Sequence, residues 1–414
     1  MNMIIQNKPK TPPIWLLIPL IGFPQLSENI YSPALPAISD FLHTHNAYVQ
    51  WTLSIYFIGF ALGVFLWGRL SDHIGRKPSM IAGLIIYTIA SLLCVYAHDI
   101  TWLLSTRFIQ GLGASCGSVL IQAIARESME EKERHQFYAT SGFVMAFSIT
   151  VGPFIGGYLT QWFHWQSNFV LLFCIGISLI TLACIKLPET NIKTHEKLPS
   201  IVGTLKNMML DKHLIGCALL IAIANGILFS YYAEGPFIFI KLLGLLPSEF
   251  GKLGLFIALA SLCGSLSARK LMHHWSREKM LMIGCITMVV CSLFLFIATV
   301  THFINATHIV LSTTLIIASM MGIVLASFGF VVPLTLSSAL VKYQSAIGTA
   351  GALFGLLYYL MISAVTWGMG YLTNKTFLPM PLYFLVLSVI ALITAYFFII
   401  KKNSHKRIHH ISNE

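Results

Sequence analysis

Hydrophobic residues fall along this chain in twelve runs. They cover residues 14–37, 48–70, 78–97, 101–125, 137–160, 167–186, 213–243, 250–271, 279–300, 308–333, 345–371 and 381–400, with short polar stretches between them. About 20 helical residues rise about 30 Å, the thickness of a bilayer's hydrocarbon core. The runs are continuous rather than alternating, which excludes the strands of a membrane barrel. In lipid, only a helix satisfies the backbone of such a run from within. The pattern predicts an all-α polytopic membrane protein with twelve transmembrane helices. The seventh run is too long for one straight crossing, and Gly235-Pro236 is expected to break it. Lys8 and Lys10 before Ile14–Leu26 resemble the start of a secretory signal, but no small-residue cleavage site follows, so this run reads as the first membrane helix.

The longest polar segment divides the chain. It predicts two pseudo-symmetric six-helix bundles, 1–187 and 213–400, joined by a cytoplasmic linker at 188–212 and followed by a basic cytoplasmic tail at 401–414. Residues 193–212 of the linker fit an amphipathic segment lying on the membrane surface. Gly68-Arg69-Leu70-Ser71 and Gly264-Ser265-Leu266-Ser267 form a weak internal echo. Six helices plus six with a site between them is a transporter layout.

Composition agrees with the pattern and adds sidedness. Only 10% of the 414 residues are charged and 56% are hydrophobic, against roughly 25% charged in a soluble domain. Of the 26 Lys and Arg, only Lys241, Lys252 and Lys375 fall on the far side from the amino terminus, and Arg107 lies within the fourth run. The other 22 lie on the amino-terminal side, which the positive-inside rule assigns to the cytoplasm together with both termini. The net charge of +11 is spread over the ends of apolar runs, so it points to topology and not to nucleic acid. All eight cysteines lie inside apolar runs and read as packing residues. No metal site and no cofactor is expected, and there is no phosphate-loop motif for an ATP-driven pump.

Three strings carry specific chemistry. Gly68-Arg69-Leu70-Ser71-Asp72-His73-Ile74-Gly75-Arg76-Lys77-Pro78 makes a tight basic turn after the second run, with Asp72 placed to cap or pair with a neighbouring helix end. Glu127 is a candidate partner of Arg76, a pairing that spacing alone does not show. Leu104-Ser105-Thr106-Arg107-Phe108-Ile109-Gln110-Gly111-Leu112-Gly113-Ala114 puts Arg107 inside an apolar run, where a charge needs a wet cavity or an acidic partner. Val151-Gly152-Pro153-Phe154-Ile155-Gly156-Gly157-Tyr158 combines a bend at Pro153 with glycines that admit close helix approach.

Together these strings resemble the major facilitator superfamily, specifically its twelve-helix drug:proton antiporters. Trp165-Gln166-Ser167-Asn168-Phe169 and Leu187-Pro188-Glu189-Thr190 add to the match, and Tyr31-Ser32-Pro33-Ala34-Leu35-Pro36 resembles the Bcr/CflA branch of bicyclomycin and chloramphenicol exporters. The branch typically has an aspartate two residues before that tyrosine. Here Asn29 stands there and Glu28 is its neighbour, and Ala139 and Ser148 replace two glycines of the fifth-run motif. The resemblance implies a gate at Gly68, Asp72, Gly75, Arg76 and Lys77. It implies a hinge at Gly152, Pro153, Gly156 and Gly157, and a bacterial inner-membrane location.

The expected function is a secondary transporter that works as a monomer and exports amphipathic small molecules in exchange for protons. The alternatives are an exporter of an endogenous metabolite or siderophore, a proton-coupled importer, and, less well supported, a membrane enzyme or sensor. Glu28 and Glu234 are the acids placed within membrane-embedded structure. An apolar surround favours a carboxyl's neutral form, so such a group can take up and release a proton. Glu28 is the expected proton carrier, with Arg107 as its electrostatic tuner and Glu234 as the second candidate. Candidate cavity residues are Asn29, Tyr31, Tyr56, Phe57, Phe147, Tyr231, Tyr232, Tyr358 and Tyr359.

Overall fold

The computed structural model describes residues 11–191 and 201–400, so the basic tail 401–414 and part of the linker lie outside the described residues. The described part is helical throughout. Eleven helices are long and apolar enough to cross a membrane. The twelfth expected crossing, the first run, is instead a broken one. It consists of α1 (Ile14–Asn29), a 3₁₀ turn (Ser32–Ala34) and α2 (Leu35–Phe41). Pro33 and Pro36 explain the break, because proline lacks an N–H and its ring clashes with the carbonyl four residues back.

The amino-terminal half continues with α3 (Asn46–Ile74), α4 (Arg76–Val95), α5 (Ile100–Ser128), α6 (Glu131–Trp162) and α7 (Gln166–Lys186). The linker contributes α8 (Ile201–Leu210), with Met208 buried and Val202, Met209 and Leu210 exposed. The second half contains α9 (Lys212–Pro236), α10 (Pro247–Leu271), α11 (Arg277–Val300), α12 (Ile309–Ala326), α13 (Val332–Ala339), α14 (Ile347–Leu372) and α15 (Pro379–Thr394).

The expected break at Gly235-Pro236 does not occur. Instead α9 runs on through Pro236 into a π-helical stretch, Phe237–Leu242. A wider turn accommodates the carbonyl that proline leaves unbonded. The same device joins α12 to α13 through Ser327–Val331, just before Pro333.

Two hydrophobic cores form. One is drawn mainly from α1 to α7 and recruits Phe229 and Ala233 of α9 and Phe237 of the π-helical stretch after it. The other is drawn from α8 to α15. Many large apolar side chains point outward, including Leu66, Ile89, Val290 and Val310. A water-facing surface would not tolerate so many, whereas lipid tails solvate them. The halves meet along α3 with α14 and along α6 with α10.

Close backbone approach holds the amino-terminal half together. A Cβ on Gly59 would strike the carbonyl of Phe108, and one on Gly111 would strike the carbonyl of Tyr56. Small residues are what let membrane helices pack this tightly. Replacing Gly111 by Val forces α5 away from α3, and overpacking of this kind costs ~1–3 kcal/mol. A lowered melting temperature in detergent is expected, while Gly142→Ala, whose methyl meets nothing within 4 Å, leaves the melt unchanged or raises it.

Candidate functional site

The amino-terminal half is built around a buried cation. Arg107 on α5 has no exposed surface. Its guanidinium lies between the rings of Tyr31 and Tyr56, 4.3 Å from each centroid. It donates to Gln110 one turn later, and Gln110 donates to Ser91 Oγ of α4 at 2.8 Å. Tyr31 is placed by the break after α1 and is fixed by a 2.8 Å bond between its hydroxyl and Thr52 of α3. Tyr56 donates to the carbonyl of Pro24 at 3.4 Å. Nε and Nη2 of Arg107 have no protein hydrogen-bond partner.

Glu28 is 2% exposed, and its Oε1 also has no hydrogen-bond partner. Among the described residues no ion pair joins Glu28 to Arg107. Glu28 borders a central cavity of about 350 Å³ between the halves. Gln25, Asn225, Ser261, Ser265, Tyr358 and Tyr359 supply its other polar groups, and among the described residues Glu28 is the only charged one in its lining. The rest is apolar, including Met145, Phe229 and Phe328. A mostly apolar wall with a few convergent polar groups is the usual form of a small-molecule site.

Tyr358, Tyr359 and Leu336 also border a second cavity of about 410 Å³, which leads past Arg69 and Asp72 to the exposed Arg126. Tyr358, Tyr359 and Leu336 thus stand between the central cavity and one that reaches the basic end of the molecule. The opposite end of the seam is closed. Trp51 and Trp367 stack at 4.4 Å and 12°. Ser54 bonds Thr366 at 2.9 Å and accepts at its carbonyl from Ser363 at 2.7 Å. Ser32 donates to the carbonyl of Tyr232. Beyond this closure lies a vestibule of about 690 Å³ bordered by Glu234, Asp40 and Lys241.

The basic turn forms a hub. Arg76 bonds Glu127 of α5 at 2.5 Å, Asp72 at 2.7 Å and Ser71 at 2.5 Å. Gly75 adopts φ +103°, a conformation that glycine reaches without strain, and a Cβ there would strike the Glu189 carboxylate. Glu189, from the segment after α7, accepts from the first amides of α4, Arg76 N at 2.8 Å and Lys77 N at 3.1 Å. Those amides have no partner within the helix, so a carboxylate there satisfies donors and complements the dipole. Lys77 in turn donates to the Cys184 carbonyl in the last turn of α7, at 2.8 Å.

The remaining candidates are scattered. A Cβ on Gly68 would lie 3.6 Å from Val119 of α5 and 3.8 Å from Ala352 of α14, across the seam. Gly152 and Gly156 abut the backbone of Ile30 at the break after α1, while Gly157 and the Pro153 carbonyl abut Pro247 and Gly251 of α10. Tyr31 and Tyr56 serve Arg107 and line neither cavity. Asn29 turns back to donate to the Gln25 carbonyl. Phe57 packs on Phe229 at 4.4 Å. Tyr231 and Tyr232 are buried with Phe239 and Phe250 inside the second half, away from the central cavity. Phe147 is 56% exposed and faces away from the cavity that Met145 and Ile149 border. The placement of Asn29, Tyr31, Tyr56, Phe57, Phe147, Tyr231 and Tyr232 thus corrects their expected role as cavity wall. Sequence reading missed Gln50, Gln110, Asn225 and Thr373. An amide inside an apolar run is the signal that marks the first three.

The model of the Major Facilitator Superfamily matches residues 18–366. A protein of Rickettsia bellii described as an uncharacterized transporter is 35% identical over 392 residues, 94% of this chain and 96% of that one. The multidrug resistance protein MdtL of Shewanella oneidensis is 25% identical over 88% of this chain and 89% of its own. The crystal structure of a D-xylose–proton symporter superposes with a TM-score of 0.76 at 15% identity, covering 93% of this chain and 97% of that one, a likeness of fold.

Glu189 gives this site its pH signature. Burial alone would push its carboxyl up, but the backbone N–H groups of Asn191, Arg76, Lys77 and Thr190 together hold it below the usual 4.5. A depressed folded-state value means that the stabilisation is present above the unfolded value and is lost as pH falls through the folded one. Glu189→Gln is expected to melt below the wild type at pH 7. In thermal scans against pH the gap should close once pH drops below the ordinary carboxylate range.

Proposed function

The chain belongs to the major facilitator superfamily, a family of transporters and not enzymes, and from that premise we propose that it exports amphipathic, drug-like small molecules in exchange for protons. The observation that carries this reading is the position of Glu28. Among the described residues it is the one charged side chain on the mostly apolar wall of a cavity between the halves, and none of their acids forms an ion pair with the buried Arg107. The relative named as a multidrug resistance protein supports the same substrate class.

The basic end faces the cytoplasm of a bacterial cell, in its inner membrane, as the positive-inside rule requires. The arrangement is then open to the cytoplasm and closed outward. Export proceeds by rocking of the halves, residues 1–187 and 213–400, about the central cavity. Substrate enters past Arg126 and displaces the proton on Glu28. Outward opening releases the substrate, and a proton from outside returns the carrier. Each proton moving inward with the potential gains about 2.3 kcal/mol per 100 mV. Arg107 supplies a fixed positive charge that favours proton loss when substrate arrives. The Arg76 turn holds α3, α4, α5 and α7 together at the cytoplasmic end, and the glycines of α6 allow it to pivot against α1 and α10. One chain contains all of these parts, so a monomer suffices.

Everted vesicles with an acidic lumen test the proposal. A panel of lipophilic compounds is screened for accumulation, and Glu28→Gln is expected to lose gradient-driven accumulation by more than tenfold while retaining substrate exchange. Accumulation that ignores the gradient in either direction rejects proton exchange. Unaltered uphill transport in Glu28→Gln removes Glu28 from the role.

A further inference from the structure

Glu234 borders no part of the central cavity, yet it is only 2% exposed. It lies at the end of α9, one residue before Gly235. Both carboxylate oxygens are taken. Oε2 accepts from Gln50 Nε2 of α3, and Oε1 accepts from Thr373 Oγ1, just past α14, at 3.1 Å. One donor comes from each half of the molecule.

No cation pairs with it among the described residues. The charged and titratable groups that share its vestibule are Asp40, His43, His45, Lys241 and Lys375. Asp40 and Lys241 bind each other at 2.6 Å. Glu234 is held by neutral donors alone, so the strength of its bonds depends on its own charge. Hydrogen bonds to an ionised acceptor are about twice as strong as neutral ones. Protonation also turns one acceptor oxygen into a donor, whose proton the Thr373 hydroxyl can accept but the Gln50 amide NH₂ cannot.

Gln50 and Thr373 belong to the closed part of the seam. Trp51 follows Gln50 and stacks on Trp367, six residues before Thr373. Ser54 and Thr366 follow one turn deeper. Weakening the contact at Glu234 therefore acts on the outer part of this ladder, inside the more exposed Asp40–Lys241 pair that also joins the halves. The vestibule gives protons from outside a route to this carboxylate that does not cross the seam.

We infer that Glu234 is the lock of the outer gate, tying α3 and α14 to α9 as a carboxylate and releasing the seam when protonated from outside. The inference rests on the alternating-access reading and gives Glu234 a positioning role distinct from proton carriage by Glu28.

Hydrogen–deuterium exchange of the full chain in nanodiscs, without substrate or gradient, tests it. Glu234→Gln at pH 7.5 is expected to speed exchange about tenfold in peptides covering 46–55 and 366–376, equivalent to ~1.4 kcal/mol. Peptides covering 118–126 and 336–349, at the cytoplasmic end, should slow. Wild type at pH 5.5, corrected for intrinsic exchange, should show the same redistribution, and Glu234→Gln should show none between the two pH values. Thr373→Val removes one donor, keeps the shape, and should open the outer seam at pH 7.5 with Glu234 intact. Both variants exchanging like wild type overturns the lock, as does faster exchange at both ends together. Because no substrate is present, unchanged exchange beside intact wild-type transport rejects the lock alone. An opening seam beside absent transport rejects the exporter alone.

Discussion

A guanidinium with no exposed surface, deep in a membrane helix, is the feature the rest of the site is arranged around. Placing an arginine at a helix centre costs roughly 2.5–3.5 kcal/mol even with local adaptation. Two ring faces, each contributing up to ~2 kcal/mol when desolvated, offset much of that cost. Gln110 adds a bond to the charged group, typically ~1.5–3 kcal/mol. The arrangement requires Tyr31, and Tyr31 reaches Arg107 because the first crossing breaks between α1 and α2. Prolines that look like helix defects thus serve the placement of one ring. The charge is stabilised without an acidic partner, so its field stays available to the nearby carboxylate.

That field connects local packing to the seam between the halves. Glu28 lies one turn from the break and opens onto the central cavity, while Arg107 stays sealed behind it. A carboxylate fully paired with arginine would be locked in its charged form. One facing a cavity with the cation at a distance has two accessible states, and an incoming ligand can choose between them. On the other side of the closed seam, Glu234 occupies its own vestibule with its oxygens bonded to both halves. In the proposed cycle, these two buried carboxylates, one on each side of a single closure, are separate handles for loading and for gating.

The membrane-helical architecture was legible in the sequence because run length and charge placement respond to lipid alone. The Arg76–Glu127 contact could be named as a candidate, but spacing along the chain does not fix a pairing between residues 51 positions apart. Breaks and π-helical stretches were less so. Pro236 and Pro33 were visible, but whether a proline ends a helix or widens its turn depends on what packs beside it. The aromatic candidates show the same limit. Tyr31, Tyr56 and Tyr358 look alike as residues in apolar runs, and only helix rotation separates a cation's support from a cavity wall. Gln50 and Glu234 are 184 positions apart, a pairing that no local pattern encodes.

The account turns on one exchange, substrate for the proton of Glu28. The most direct measurement is proton release on substrate binding, followed with a pH indicator in weakly buffered, purified protein near neutral pH. The account predicts about one proton released per substrate bound by the wild type, and none by Glu28→Gln, which still binds. Equal release from the wild type and Glu28→Gln would contradict it.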